Sequence, residues 1–342
     1  MENKKGIFSI FVILAFLILP LVSAEIIFNQ QPNSVYNLGD VVSISTTIKY
    51  PAATTGTFQM DLLCGSGGTN FYKNGVSLSA GEQKNIESSL ILSKAIIGNL
   101  VGTCRINAFL GTDSKSTNNF EISNLVNIQS NISKTDFNPE ETMTISGNAI
   151  KENGNAANGY VELSILDGNS TILLKESTVN NGVFSVSTIF PKDMKSGNYV
   201  LRVKVYEKDL SGEETNFGSI DINIHIKQVP TNLEIVFENS EVNPRTNLKV
   251  KAVLHDQSGF NIDSTTFLTI KNSKGKILEQ VEIPTDEFLE YPVLYNEIPS
   301  LWKVVAVSNK LTTESSFRIL EVENATIKII NKTVLITNTG NI

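Results

Sequence analysis

The chain is predicted to be all-β, a tandem series of antiparallel β-sandwiches behind an N-terminal signal peptide. Three observations predict it. Apolar and polar residues alternate with period two along most of the chain, a turn-and-strand signature recurs roughly every 100 residues, and the amino terminus reads as an export leader. At 342 residues there is room for two or three domains, and 41% hydrophobic with 18% charged residues supplies enough apolar side chains for real cores.

The leader comes first. Lys4 and Lys5 give a basic start, "IFSIFVILAFLIL" from residue 7 gives an apolar stretch, Pro20 breaks it, and Ser23 and Ala24 are small residues suited to cleavage after Ala24. The stretch is shorter than the roughly 18 apolar residues expected of a spanning helix. An uncleaved anchor is therefore the weaker alternative. So is a pilin-type leader cut after Gly6, because Pro20 and the strand-like "EIIFNQ" leave its helix too short.

Strand patterning follows. In "NYVLRVKVY" Tyr199, Leu201, Val203 and Val205 share one face and Arg202 and Lys204 the other, while "IDINIHIK" sets Ile220, Ile222, Ile224 and Ile226 against Asp221, Asn223, His225 and Lys227. Half-buried antiparallel strands read this way. Asp167-Gly168 and Asn181-Gly182 punctuate the pattern as hairpin turns. No stretch after residue 24 has helical period.

Self-comparison then divides the chain. "YNLGDVVSI" begins at Tyr36, "FNPEETMTI" at Phe137 and "VNPRTNLKV" at Val242, spaced by 101 and 105 residues. The second and third copies stay in step, with Gly154 opposite Gly259, "VELSILDG" opposite "TTFLTIKN", and "GNYVLRVKV" opposite "SLWKVVAVS". That period is the size of one sandwich, so each copy can bury its own core. The predicted organisation is a signal peptide at 1–24, sandwiches at 25–127, 128–228 and 229–322, and the start of an incomplete fourth β domain at 323–342. In the alternative, the final segment pairs back onto the third sandwich.

The second copy, with "FNPEETMTISGNAI", "YVELSILDG", "NNGVFSVSTIFP" and "SGNYVLRVKVYE", resembles prokaryotic Ig-like domains and the related macroglobulin-type sandwiches. "LITNTGNI" resembles the opening of domains repeated in archaeal and bacterial surface proteins. The resemblance implies extracellular modules without catalytic residues. The expected role is a non-catalytic surface, adhesion or envelope spacer, with glycan-binding modules of a larger secreted enzyme as the alternative.

Candidate chemistry is sparse. Cys64, in "LLCGSGGTN", sits against glycines that could pass for a phosphate loop, but the sixth position from Gly65 is Asn70, no helix pattern follows, and no Gly-Lys-Ser/Thr is present. Cys64 and Cys104 are the only two cysteines, both at strand-like positions, and in an exported chain they most simply form a disulfide. Free or metal-bound thiols, the other possibility, lack the further ligands zinc requires. "SAGEQ" carries Ala80 where an internal thioester would need cysteine, and reads as a turn.

His225 and His255 read as solvated side chains, Glu140-Glu141 and Glu213-Glu214 as surface charge, and Trp302 as core. "LDGNST" and "HDQSGFNID" offer oxygen ligands for calcium without the dense acidic spacing of a recognised loop. Tyr72, Tyr291 and Tyr295 are the aromatics a glycan groove would use. Asn131, Asn169, Asn324 and Asn331 are candidate glycosylation acceptors. No catalytic residue, metal site or cofactor is expected.

The charge of -7, which becomes -8 once Glu2, Lys4 and Lys5 leave with the leader, argues against nucleic acid, as do the few arginines, Arg105, Arg202, Arg245 and Arg318. Another surface protein or a glycan is the expected partner, outside the cytoplasm. Membrane attachment is expected only through an uncleaved leader or an anchor following Ile342.

Overall fold

The computed structural model describes residues 24–342 apart from Ser66, so the leader reading of residues 1–23 lies outside the described residues. The first set of elements is β1 (Glu25–Phe28), β2 (Val35–Asn37), β3 (Val41–Lys49), β4 (Thr54–Cys64), β5 (Gly67–Leu78), β6 (Gln83–Ile91), α1 (Lys94–Ile97), β7 (Gly102–Leu110), β8 (Asp113–Ser116) and β9 (Phe120–Ser123). The second is β10 (Val126–Ile132), β11 (Asp136–Phe137), β12 (Thr142–Lys151), β13 (Gly159–Asp167), β14 (Ser170–Val179), β15 (Val183–Ile189), β16 (Gly197–Lys208) and β17 (Glu214–Ile226). The third is β18 (Pro230–Phe237), β19 (Glu241–Val242), β20 (Asn247–Asp256), β21 (Thr265–Lys271), β22 (Ile277–Pro284), β23 (Leu289–Pro292), β24 (Ser300–Ser308) and β25 (Leu311–Ile319).

The three sets repeat one topology. A three-stranded sheet, ordered β1-β3-β6, β10-β12-β15 or β18-β20-β23, faces a larger one ordered β2-β9-β7-β4-β5, β11-β17-β16-β13-β14 or β19-β25-β24-β21-β22. Between the layers lie three hydrophobic clusters: Ile26 to Ile122, Val126 to Ile226, and Leu233 to Ile319. The alternating faces account for them, since Tyr199, Leu201, Val203 and Val205 are buried and the intervening Arg202 is exposed. Trp302 is buried against Tyr291 and Phe317 in the third core.

The recurring Asn motif explains how each sandwich opens. The short strands β2, β11 and β19 leave the first sheet and pair in parallel with the last strand of the second, β9, β17 and β25. Each buries its hydrophobic residue, Tyr36, Phe137 or Val242, and turns at once. The turn is the same three times: Asp40, Glu141 and Thr246 donate their backbone N–H to the carbonyls of Asn37, Asn138 and Asn243. Leu or Pro comes second, and the third residue, Gly39, Glu140 or Arg245, has φ of 93°, 61° or 69°. A type II turn demands that third position. The turned backbone then docks on Leu92, Phe190 or Val293, to whose carbonyls Gly39, Glu140 and Arg245 donate at 2.9, 3.1 and 2.9 Å.

Two details depart from the sequence reading. Among the described residues there is one helical turn, α1, closed by Ile96 and Ile97 donating to the Ser93 carbonyl and ended at Gly98 with φ of 60°. One turn is too short to leave a periodic signal. Asn181-Gly182 forms a tight turn, but β14 pairs with β13 and β15 with β12, so the turn passes between sheets and makes no hairpin ladder. The segment after β25 forms β26 (Ala325–Ile330) and β27 (Thr333–Asn338), which pair only with each other, and all residues of both strands are exposed.

Cys64 and Cys104 are bonded. They face each other directly in the register of β4 and β7, so the crosslink ties neighbouring strands of one sheet and does not bridge the two sheets. The glycines after Cys64 form the β4–β5 hairpin, with Cys64 opposite Gly67.

A Cys64→Ala/Cys104→Ala variant should lower the stability of the first sandwich by about 4 kcal/mol, the chain-entropy value for a loop of this length. Calorimetry reads the loss. Emission from Trp302, the sole tryptophan, reports the third sandwich and should keep its midpoint.

Candidate functional site at the joints between sandwiches

Among the buried polar residues, Asn37, Ser123, Asn216 and Asp256 lie where one sandwich meets the next. At the first joint β9 ends at Ser123 and β10 begins at Val126, leaving two residues between cores. Leu125 bridges to Phe217 in parallel, and Phe217 donates its N–H to Asn124 at 2.8 Å. Gly218 is required there: a Cβ on it would lie 1.9 Å from the Val126 carbonyl oxygen.

Two asparagines with no exposed surface, Asn37 and Asn216, sit at the centre. Asn37 Nδ2 donates to Asn216 Oδ1 and to the Leu125 carbonyl, both at 3.2 Å, and its Oδ1 accepts the Asn153 N–H at 2.9 Å. Asn216 Nδ2 donates to the Leu38 carbonyl at 2.8 Å and to Glu207 Oε2 at 2.7 Å. Asp40 Oδ2 accepts from the Asn37 N–H and from Asn153 Nδ2, both at 2.7 Å. Around the rim Lys151 lies 3.6 Å from Glu207, Ser123 Oγ donates to Glu152, and Lys94 Nζ donates to the Glu214 carbonyl. Both amides are fully partnered, the condition on which buried polar groups are tolerated.

The second joint is built differently. Lys227, Gln228 and Val229 separate β17 from β18. Gln257 Oε1 accepts the Val229 N–H at 2.8 Å, and its Nε2 donates to the Met194 and Lys227 carbonyls at 3.0 and 3.1 Å. Asp256 is buried and spends one oxygen on its own loop, accepting from Ser258 N, Ser258 Oγ and Phe260 N. Its other oxygen receives Ser196 and Gln228 at 3.4 Å. Burial pushes this carboxyl up, but the hydrogen bonds from Ser258, Phe260 and Gln228 outweigh it and hold it below the usual range. In the third sandwich's contact with the following hairpin, Asn341 Nδ2 donates to the Glu297 and Leu320 carbonyls and Arg245 donates to the Thr339 carbonyl.

The residues singled out from sequence are scattered. Asn131, Asn169, Asn324 and Asn331 are all exposed. His225 and His255 are half-buried, not freely solvated: His225 Nδ1 faces Asn198 Oδ1 at 3.0 Å, and His255 Nε2 faces Glu234 at 3.3 Å. Glu141 receives the Asn138 N–H and pairs with Lys134, and Glu214 pairs with Lys204 at 2.6 Å. "SAGEQ" is a turn, in which Ser79 donates its N–H to Glu82 and Gly81 has φ of 75°. Of the calcium-like stretches, Asp167 lies in an exposed hairpin and Asp256 in the second joint. Tyr72 packs on the first core and Tyr291 on the third, and Tyr295 is exposed beside the Arg245 guanidinium, so these three share no groove.

The sequence reading missed the joint asparagines and one aromatic row. Tyr160, Tyr206 and Phe217 stand side by side across β13, β16 and β17 on the outer face of the second sandwich, with Lys208 over both tyrosine rings. Their outward parity within patterned strands was a usable signal for the row. Burial first, then the hydrogen bond and charge of Glu176, push the Tyr206 phenol up to about 12.

No family model matches the chain, and no curated protein matches it. Among solved structures, a β-glucosidase from Listeria innocua matches 30% of this chain and 16% of its own at 19% identity, TM-score 0.25. Trypsin-activated alpha-2-macroglobulin from Escherichia coli matches 88% of this chain and 24% of its own at 13% identity, TM-score 0.25. Salmonella alpha-2-macroglobulin reacted with methylamine matches 90% and 24% at 12% identity, with the same TM-score. Values this low place the chain in no family.

Asn216→Ala removes two donated bonds and leaves the Asn37 amide short of a partner. The expected loss is about 1–3 kcal/mol of coupling between the first two sandwiches. Calorimetry should show their transitions separating while the Trp302 emission midpoint stays. For Tyr206, the folded value lies above the ordinary phenol value of 10.0. Its contribution is therefore fully present below about pH 10 and lost as pH rises toward 12. Ultraviolet difference titration should find an ionisation near 12 in the wild type that loses one tyrosine's amplitude in Tyr206→Phe.

Proposed function

We propose that the chain is a non-catalytic component of a prokaryotic cell surface or envelope, an array of β-sandwiches that carries a recognition surface away from its point of attachment. The observation that carries this reading is the first joint. A hydrogen-bonded amide network fixes one closed core against the next, as suits a part that sets an orientation. The disulfide is compatible with an extracytoplasmic location, where thiols stay oxidised. No helix among the described residues is long and apolar enough to cross a membrane. The partner is another surface protein or a glycan, met by loops at the sandwich ends.

Protease treatment of intact cells tests the reading. Loss of the protein from unpermeabilised cells, with Cys64 and Cys104 protected from thiol reagents until reduced, is expected. Full protection inside intact cells with both thiols freely alkylated would overturn it.

A further inference from the structure

The three sandwiches share one opening turn, and among the described hydrogen bonds it reaches the next element at two of the three joints. In the first sandwich Asn37 and Asp40 reach Asn216 and Asn153 of the second, and in the third Arg245 reaches Thr339. In the second sandwich Asn138 is exposed and bonded to Glu141 of its own turn. The hydrogen bonds across that joint come instead from Met194, Ser196 and the Lys227–Val229 connection.

The cause is a difference in hairpin length. In the second sandwich the hairpin runs on past the Val205–Gly218 pair, through the pairs Tyr206–Phe217 and Lys208–Glu214, and this extension carries Glu207, Glu214, Asn216 and Phe217, which build the first joint. In the third sandwich only Asn309 and Lys310 lie between the paired Ser308 and Leu311. The side chain of Asn309 bonds Ser264 and Ser308 of its own sandwich, and the Asn138 turn stays exposed.

We infer that the first two sandwiches move as one rigid body and that the array bends at Lys227–Val229. Bending the first joint must break the bonds between two fully buried amides and their partners, whereas the bonds of the second, to Asp256 at 3.4 Å and to Gln257, are centred on the linker about which it would turn. This is a statement about mechanics and holds wherever the protein resides.

Spin-label distance measurements on the full chain test it. Labels at Ser43→Cys and Ser185→Cys span the first joint, and labels at Ser185→Cys and Ser316→Cys span the second, all at exposed strand positions. The first pair should give one narrow distribution and the second a distribution at least twice as wide. Equal widths, or a wider first pair, would overturn the inference. Asn216→Ala should broaden the first pair toward the second, and an unchanged width would also count against it. Should the first pair fail to fold, Lys84→Cys with Thr144→Cys spans the same joint.

Discussion

Asn37 and Asn216 place two carboxamides where water does not reach, and the orientation of the first two sandwiches depends on their being satisfied. Each core closes between its own two sheets, and neither core cluster runs across the joint. Orientation must then come from directional bonds. An unpaired buried amide costs about 1–3 kcal/mol, so only the arrangement that satisfies every donor and acceptor survives.

The opening turn shows how one local device serves two purposes. Its backbone work is identical in the three copies: a left-handed third residue and a pair of hydrogen bonds to Leu92, Phe190 or Val293. That work closes each sandwich. The side chains are free to differ. Asp40 takes the Asn37 N–H and also reaches Asn153, whereas Glu141, in the equivalent place, takes the Asn138 N–H and pairs with Lys134. Both carboxylates fold back on their own turn, and they differ in the second partner, Asn153 of the next sandwich for Asp40 and Lys134 of the same sandwich for Glu141.

Much of the fold was legible because it is local. Alternation in "NYVLRVKVY" gives the buried face, and the Asn motif marks the same turn at Tyr36, Phe137 and Val242 even where Gly39 is replaced by Glu140 or Arg245. The site was far less legible. Asn216 sits in a polar stretch, "EETNFG", that reads as hairpin tip, and nothing nearby in sequence reports that Leu38 and Asn37 lie across from it. The extension at residues 206–217 was visible in principle as unequal spacing between the last two strands of the second and third copies. Its meaning required knowing which loops face each other. Asn181-Gly182 was misread for a related reason, since a turn dipeptide fixes the bend of the chain but not the sheet to which the next strand belongs.

A polar joint also suits a chain that folds from its amino terminus. The first sandwich can close as soon as β9 is available, before β10 to β17 exist. An apolar docking face would then stand exposed on a folded unit, a patch prone to association. Asn37, Asp40 and the Leu38 carbonyl present instead a hydrated surface that water satisfies as well as the partner does. When the second sandwich arrives, water–protein bonds are exchanged for protein–protein bonds, and the net gain is modest, about 1 kcal/mol per bond. Close approach at Gly218, where no Cβ could fit, then admits the partner backbone along one line. Weak bonds with strict geometry thus define an angle without creating a sticky intermediate.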